Sequence, residues 1–253
     1  MRDLRLAVGF LTILPFAPRD PAKMGPAQAY FPLVGLALGG ILAVLDFAAR
    51  EALPSSVVGA LLVVAMLVLT RAIHTEGFLD SCDSLFGGHS PERRLEILRD
   101  SHVGAFAVIG CAALILLKWS LLTSIMGDLR IGLLVVFPCL SRFGMLCTMA
   151  AFPYAREQGL GRVFKDGAKP WHVVFGLATA AVAGGALLGI GGLVLLGAAI
   201  VVSLGLGRWV SGMLGGMTGD TYGAVNELTE VTVLLLGIAL FRVIPDLYQT
   251  PLW

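Results

Sequence analysis

The sequence predicts an all-α fold: a polytopic transmembrane helical bundle of about seven spans with an N-terminal interfacial or re-entrant segment, forming one integral-membrane domain over 1–253. Two observations carry this expectation. Hydrophobic residues make up 57% of the chain against 14% charged, with a mean hydropathy of +0.87, far from the balance of a soluble domain. The apolar residues also fall into runs long enough to cross a hydrocarbon core of about 30 Å, while the charges gather in a few connecting stretches. The net charge of +1 gives no footing for nucleic-acid binding.

The opening MRDLRLAVGFLTILPFAP is basic, with a short apolar core interrupted by Pro15 and no small-x-small cleavage site after it. It reads as a retained segment, too short to span, that lies in the interface or dips into the bilayer. Spans are expected at about 31–49, 55–73, 104–125 and 131–150. The uncharged stretch 173–207 is about twice too long for one crossing at about 1.5 Å per residue. Its GIGG at 189–192 supplies a turn, so two short spans are expected there, followed by one at about 231–248. With that topology, twelve Lys and Arg residues from Arg2 to Arg208, Arg19 and Lys23 among them, share one side, against Arg50, Arg130 and Arg242 on the other. Such an excess marks the cytoplasmic side. The expected location is therefore the inner (cytoplasmic) membrane, with the N-terminus and the long polar loops inside. Cys82, Cys111, Cys139 and Cys147 form no CxxC pair and read as small buried apolar residues.

Between the second and third runs, His74 to Gly104 gathers Glu76, Asp80, Asp83 and Asp100 with Arg93, Arg94 and Arg99. At about 100° per residue, a helix over 76–83 sets Glu76, Asp80 and Asp83 within about 60° of one another. Like charges so placed repel and resist ionisation unless a cation sits between them. Mg²⁺ suits that position, since it takes carboxylate oxygens and keeps part of its shell for water and phosphate. The arginines downstream offer the planar fork that matches a phosphate. These residues imply metal-assisted phosphoryl transfer at a membrane surface; the alternative is a solvated, charged loop.

A second polar group, residues 208–230, repeats acid at Asp220, Glu227 and Glu230. Its glycines, Gly215, Gly216, Gly219 and Gly223, permit a broken helix, a close approach to a ligand, or tight helix packing. Only if 173–207 reverses do the two acidic groups meet on one side. Arg142, toward the end of a span, is expensive there unless it faces a carboxylate or a phosphate. Arg156, Arg162 and Lys165 read as anchors to anionic lipid. His74 falls on the helical face opposite the acidic triplet. No Walker loop, HExxH or GxSxG occurs.

The stretches FLTILPFAP (10–18), FPLVG (31–35), HTEGFLDSCDSLFGG (74–88), ERRLEILRDSHVGAF (92–106), PYAREQGLG (153–161) and GGMTGDTYGAVNELTE (215–230) resemble, in order, those of cobalamin synthase, also called adenosylcobinamide-GDP ribazoletransferase. The resemblance implies an integral membrane enzyme that joins adenosylcobinamide-GDP to α-ribazole or its 5′-phosphate, releases GMP and requires Mg²⁺. The family's acidic motif reads close to HLDGLADTxD and falls on His74, Glu76, Gly77, Asp80 and Asp83. Glu76 stands where Asp is commoner, and Thr75 and Phe78 also depart from the pattern. On this basis Glu76, Asp80 and Asp83 are the expected Mg²⁺ ligands. Asp220 and Glu227 form a second metal group or supply the base, and Arg93, Arg94 and Arg142 bind the diphosphate. Asp100 would orient one of those arginines, and His74 completes the catalytic candidates. The corrin needs a wide groove, for which Trp209, Tyr222 and Phe86 are candidates, though an aromatic belt also accounts for them. The glycine-rich spans could pack within one chain or between copies as a homo-oligomer. Two rivals share part of the pattern: a membrane phosphotransferase that displaces CMP from a CDP-alcohol, and an ion-coupled transporter with carboxylates in broken helices.

Overall fold

The computed structural model describes residues 1–16 and 24–249; Arg19 and Lys23 of the positive-charge count lie outside them. The described residues form ten α-helices and two 3₁₀ turns: α1 (Arg2–Leu11), a 3₁₀ turn (Gly25–Tyr30), α2 (Phe31–Ala49), α3 (Ser55–Leu69), α4 (Ile73–Gly87), α5 (Pro91–Ile97), α6 (Ala105–Ser124), α7 (Gly127–Ala151), α8 (Leu160–Asp166), α9 (Pro170–Leu214), α10 (Gly219–Val243) and a final 3₁₀ turn (Pro245–Tyr248). Five helices are long and apolar enough to cross a membrane, or six if the bent pair α3–α4 is one span. The protein is an all-α membrane protein.

α1 is amphipathic and buries Leu6, Ala7 and Leu11 while leaving Met1, Arg2 and Arg5 exposed. At ten residues it is about 15 Å long, half of what a crossing needs. α7 is the central helix, buried along most of its length, and α2, α9 and α10 pack around it. At one end a buried ion pair ties helices together: the Arg130 guanidinium donates to both Asp46 oxygens at 2.6–3.0 Å. It also donates to the Leu122 and Ile125 carbonyls at the end of α6, at 3.2 and 3.1 Å. Arg130 is thus a buried clamp and not a free positive charge in a loop.

α9 contains 45 residues but does not run straight. Gly189 adopts φ 60°, ψ −142°, outside the helical region and open chiefly to glycine. Beyond it the chain folds back: a Cβ on Gly184 would sit 3.0 Å from the Gly192 carbonyl oxygen, whereas these positions lie about 12 Å apart along a straight helix. Packing against α7 confirms the reversal. Leu187 and Leu188 meet Gly132 near the start of α7, while Gly176 and Gly207 both pack near its end, against Leu146 and Thr148 respectively. The expected hairpin is therefore present, with its reversal at Gly189.

Two boundaries differ from expectation. The run 55–73 does not continue as one helix: α3 ends at Leu69, and α4 leaves at 91° to it. Arg71 and Ala72 form the corner, both at φ 54°, a left-handed conformation that costs a residue with a Cβ about 1–2 kcal/mol. The Arg71 guanidinium offsets this by donating to the Gly9 and Phe10 carbonyls at the end of α1, at 3.2 and 3.3 Å. The last long helix starts at Gly219, well before the expected 231, so Asp220, Glu227 and Glu230 all lie on α10 itself. Gly215, at φ 77°, ends α9, and reciprocal bonds between Thr218 and Thr221 start α10.

Candidate functional site

α4 is the element around which the site is built. Turned away from α3, it lies across the N-terminal parts of α6 and α10, and it crosses α10 at glycines. A Cβ on Gly77 would be 2.6 Å from the Asp220 carbonyl oxygen, and one on Gly223 would be 2.9 Å from that of His74. Only bare backbone permits this approach, and it brings carboxylates from two distant parts of the chain together. A third strand of chain closes the site: the Ala155 and Met217 amides donate to Met217 and Pro153 carbonyls, each at 2.8 Å. This pins the segment after α7 over the start of α10, and Tyr154 and Arg156 with it.

Together these elements enclose a cavity of about 320 Å³. Its polar wall carries Glu76, Asp80, Asp220, Arg156 and His74. The remainder is largely apolar, with Phe10, Met145, Met149, Tyr154, Phe164 and Tyr222. The Arg156 guanidinium donates to Asp220 at 3.0 Å and to the Leu98 carbonyl at 3.1 Å. Asp80, by contrast, has no ion-pair partner among the described residues. Burial raises its pKa, and the neighbouring charges of Asp220, Glu76 and Asp83 raise it further, to about 6. A carboxyl so placed is short of positive charge.

The other candidates are distributed differently. Asp83, the third carboxylate of the expected metal face, turns to the start of α6 and accepts from the Gly104 and Ala107 amides at 2.6 and 2.9 Å. There it caps a helix whose own N-cap residue, Gly104, has no side chain to do so. Glu227 lies deeper on α10, where it accepts from Thr75 Oγ1 at 2.9 Å and pairs with Lys118. Glu230, one turn further, is held by both Lys118 and Arg142 and also accepts from Asn226 at 3.2 Å. Arg142 is 1% exposed, and its other donor lies 3.3 Å from His74 Nδ1. It faces a carboxylate, one of the two alternatives the sequence left open, and lies outside the cavity wall. Arg93 is exposed and pairs with Glu96 at 2.9 Å, while Arg94 donates to the Met213 carbonyl at 3.2 Å. Asp100 is exposed and bonds to His102, with no arginine partner among the described residues. The structure thus gathers Glu76, Asp80, Asp220 and His74 and sets Asp83, Asp100, Glu227, Arg93, Arg94 and Arg142 apart from the cavity.

Two residues went unrecognised in the sequence. Arg156, read there as a lipid anchor, is the cavity's guanidinium. Lys118 is a lone charge inside an apolar run, and the cost of such a charge is itself the signal that a carboxylate on a neighbouring span must pair with it. Likewise Trp209 and Phe86 line an apolar groove of about 220 Å³ that does not include Tyr222, so the three aromatics do not share one groove.

Mg²⁺ is commonly held by one or two protein carboxylates and completed by water and substrate phosphate. Among the described residues no three His, Cys, Asp or Glu side chains already stand as a ligand set. Asp80 and Glu76 on one wall, with Asp80 lacking a cationic partner, fit an ion that arrives with a phosphate.

The sequence profile of the family described as cobalamin-5-phosphate synthase matches residues 3–239. A protein of Roseiflexus sp. (strain RS-1) is 40% identical to this chain over 90% of its length and 86% of the relative's. One of Desulfitobacterium hafniense (strain Y51) is 39% identical, with 93% and 96% covered, and one of Herpetosiphon aurantiacus is 37% identical, with 95% and 97% covered. All three are named adenosylcobinamide-GDP ribazoletransferase. No solved structure matches the chain.

Proposed function

The chain belongs to the cobalamin-5-phosphate synthase family, and from that premise we propose that it joins adenosylcobinamide-GDP to α-ribazole or its 5′-phosphate and releases GMP. One observation supports assigning this chemistry to the cavity: Glu76 and Asp80 of α4 meet Asp220 of α10 on one wall, beside Arg156. A ribose hydroxyl of the acceptor attacks the diphosphate phosphorus nearest the cobinamide. The new O–P bond forms as the bond to the GMP phosphate breaks, and the hydroxyl proton leaves to a base. Such transfer depends mostly on positioning and charge stabilisation. Arg156 is the cavity group suited to hold the diphosphate, and Asp220 orients that guanidinium at 3.0 Å. Glu76 and Asp80 are the residues suited to Mg²⁺, which when bound neutralises phosphate oxygens. Asp220, on the same wall, is suited to take the hydroxyl proton.

The hairpin at Gly189 supports a seven-span topology in the inner membrane, the cavity opening to the cytoplasm. Carboxylates within the bundle do not favour a transporter, because Glu227 and Glu230 are already paired with Lys118 and Arg142. The test is GMP release by the purified chain in nanodiscs with both substrates and Mg²⁺. Asp80→Asn and Asp220→Asn should each lower the rate by about 100-fold or more, the scale of losing one charge-stabilising group. CMP release from a CDP-alcohol, or an unchanged rate in both variants, would overturn the reading.

A further inference from the structure

Resting on the transferase reading, we infer that the apolar part of the cavity is the seat of the benzimidazole base of α-ribazole, and that guanine and corrin remain outside it. Three observations lead there. The first is size. About 320 Å³ lies at the lower end of ligand pockets, enough for a nucleoside-sized molecule and far too small for a corrinoid. The second is the lining. Tyr154 and Tyr222 stand nearly parallel, with ring centroids 6.3 Å apart and planes at 23°. Phe10 and Phe164 pack at 5.1 Å, and Met145 and Met149 add polarizable sulfur. A flat aromatic base gains from such walls on both its faces and its edges.

The third is the count of hydrogen bonds, which separates the two bases the reaction brings to the site. The hydroxyl of Tyr222 is buried without a partner among the described residues, on a side chain 2% exposed. A buried hydroxyl left unpaired is costly. In a ribazole the benzimidazole has one ring nitrogen on the sugar and one free, so it needs a single donor. Tyr222 Oη, the unpaired hydroxyl among the cavity's lining residues, is closed to the cavity in this structure and supplies that donor when a small shift of the ring turns it toward the base. Guanine carries donors and acceptors along its edges, most of which these walls would leave unpaired. With the base against Tyr222, the attached ribose extends to the wall of Glu76, Asp80 and Asp220, where its hydroxyl must react. The GDP moiety then approaches from the open side, beside Arg156.

The test uses the full chain in nanodiscs. Tyr222→Phe should raise the KM and Kd for α-ribazole about fivefold while leaving the KM for adenosylcobinamide-GDP unchanged. Tyr154→Ala should raise the KM for α-ribazole about tenfold. The riboside of indole, which lacks the free ring nitrogen, should bind the wild-type protein about fivefold more weakly than ribosyl benzimidazole. Tyr222→Phe should bind both equally, a pattern that general loosening of the fold would not produce. On the wild-type protein, 5,6-dimethylbenzimidazole should compete with α-ribazole and guanosine should not. Competition by guanosine, or a Tyr222→Phe protein that still distinguishes the two ribosides, would overturn the placement and leave the transferase reading intact. If the wild-type protein neither releases GMP nor binds α-ribazole, the transferase reading itself falls, and the placement with it.

Discussion

Asp80 stands among Asp220, Glu76 and Asp83, and Arg156, the guanidinium whose charge reaches it, is already engaged by Asp220. Its pKa is raised to about 6, so the folded state holds its proton more tightly than the unfolded chain does. The stability this contributes is complete below the ordinary carboxylate pKa of about 4 and is lost as pH rises through about 6. Without divalent cation, the thermal midpoint should therefore fall between pH 4 and pH 7, and Asp80→Asn should flatten that fall. Added Mg²⁺ at pH 7 should raise the midpoint of the wild-type protein and leave that of Asp80→Asn nearly unmoved; differential scanning fluorimetry reads both. Lys118 presents the opposite case, a cation serving two carboxylates. Lys118→Met leaves Glu227 without its ion-pair partner and should destabilise by about 3–5 kcal/mol, much of it recovered on adding Glu227→Gln. The charged wall of the cavity was half legible in the sequence: Glu76, Asp80 and Asp220, named from charge and spacing, do line it. Arg156 was not, because its role comes from a loop pinned by backbone bonds at Met217, which no side-chain pattern announces.

At the scale of elements, the α4–α10 crossing decides whether the carboxylates meet. A methyl on Gly77 would fall 2.6 Å from the Asp220 carbonyl oxygen, a backbone atom with little freedom to yield. Gly77→Ala should therefore push the helices apart at a cost of about 1–3 kcal/mol and lower GMP release at least tenfold, with helical content by circular dichroism unchanged. Normal turnover would mean that the crossing can relax without harm to the site. The helices themselves were readable from their apolar runs, since α2, α6 and α7 lie within a few residues of expectation. The corner between α3 and α4 was not readable. Neither glycine nor proline marks it; Arg71 and Ala72 hold the left-handed conformation through bonds to α1, a tertiary cause. The same holds for Asp83, whose spacing matches Glu76 and Asp80 but whose partner is the amide-rich start of α6.

In the whole molecule, the reversal at Gly189 controls on which side the second acidic group emerges. If α9 crossed once, the start of α10 would lie across the bilayer from α4, yet Gly77 and Asp220 are in contact. On the orientation proposed from the excess of Lys and Arg around the loops that bear the site, those loops face the cytoplasm. Glu157 and Asp246 are exposed, one beside the cavity segment and the other beyond the far end of α10, so they report opposite faces. In a chain whose four cysteines are replaced, Glu157→Cys should resist a membrane-impermeant maleimide in intact spheroplasts and react after lysis. Asp246→Cys should react before lysis. Labelling of both from the same side would require an even number of crossings between them, which a hairpin at Gly189 followed by α10 does not give.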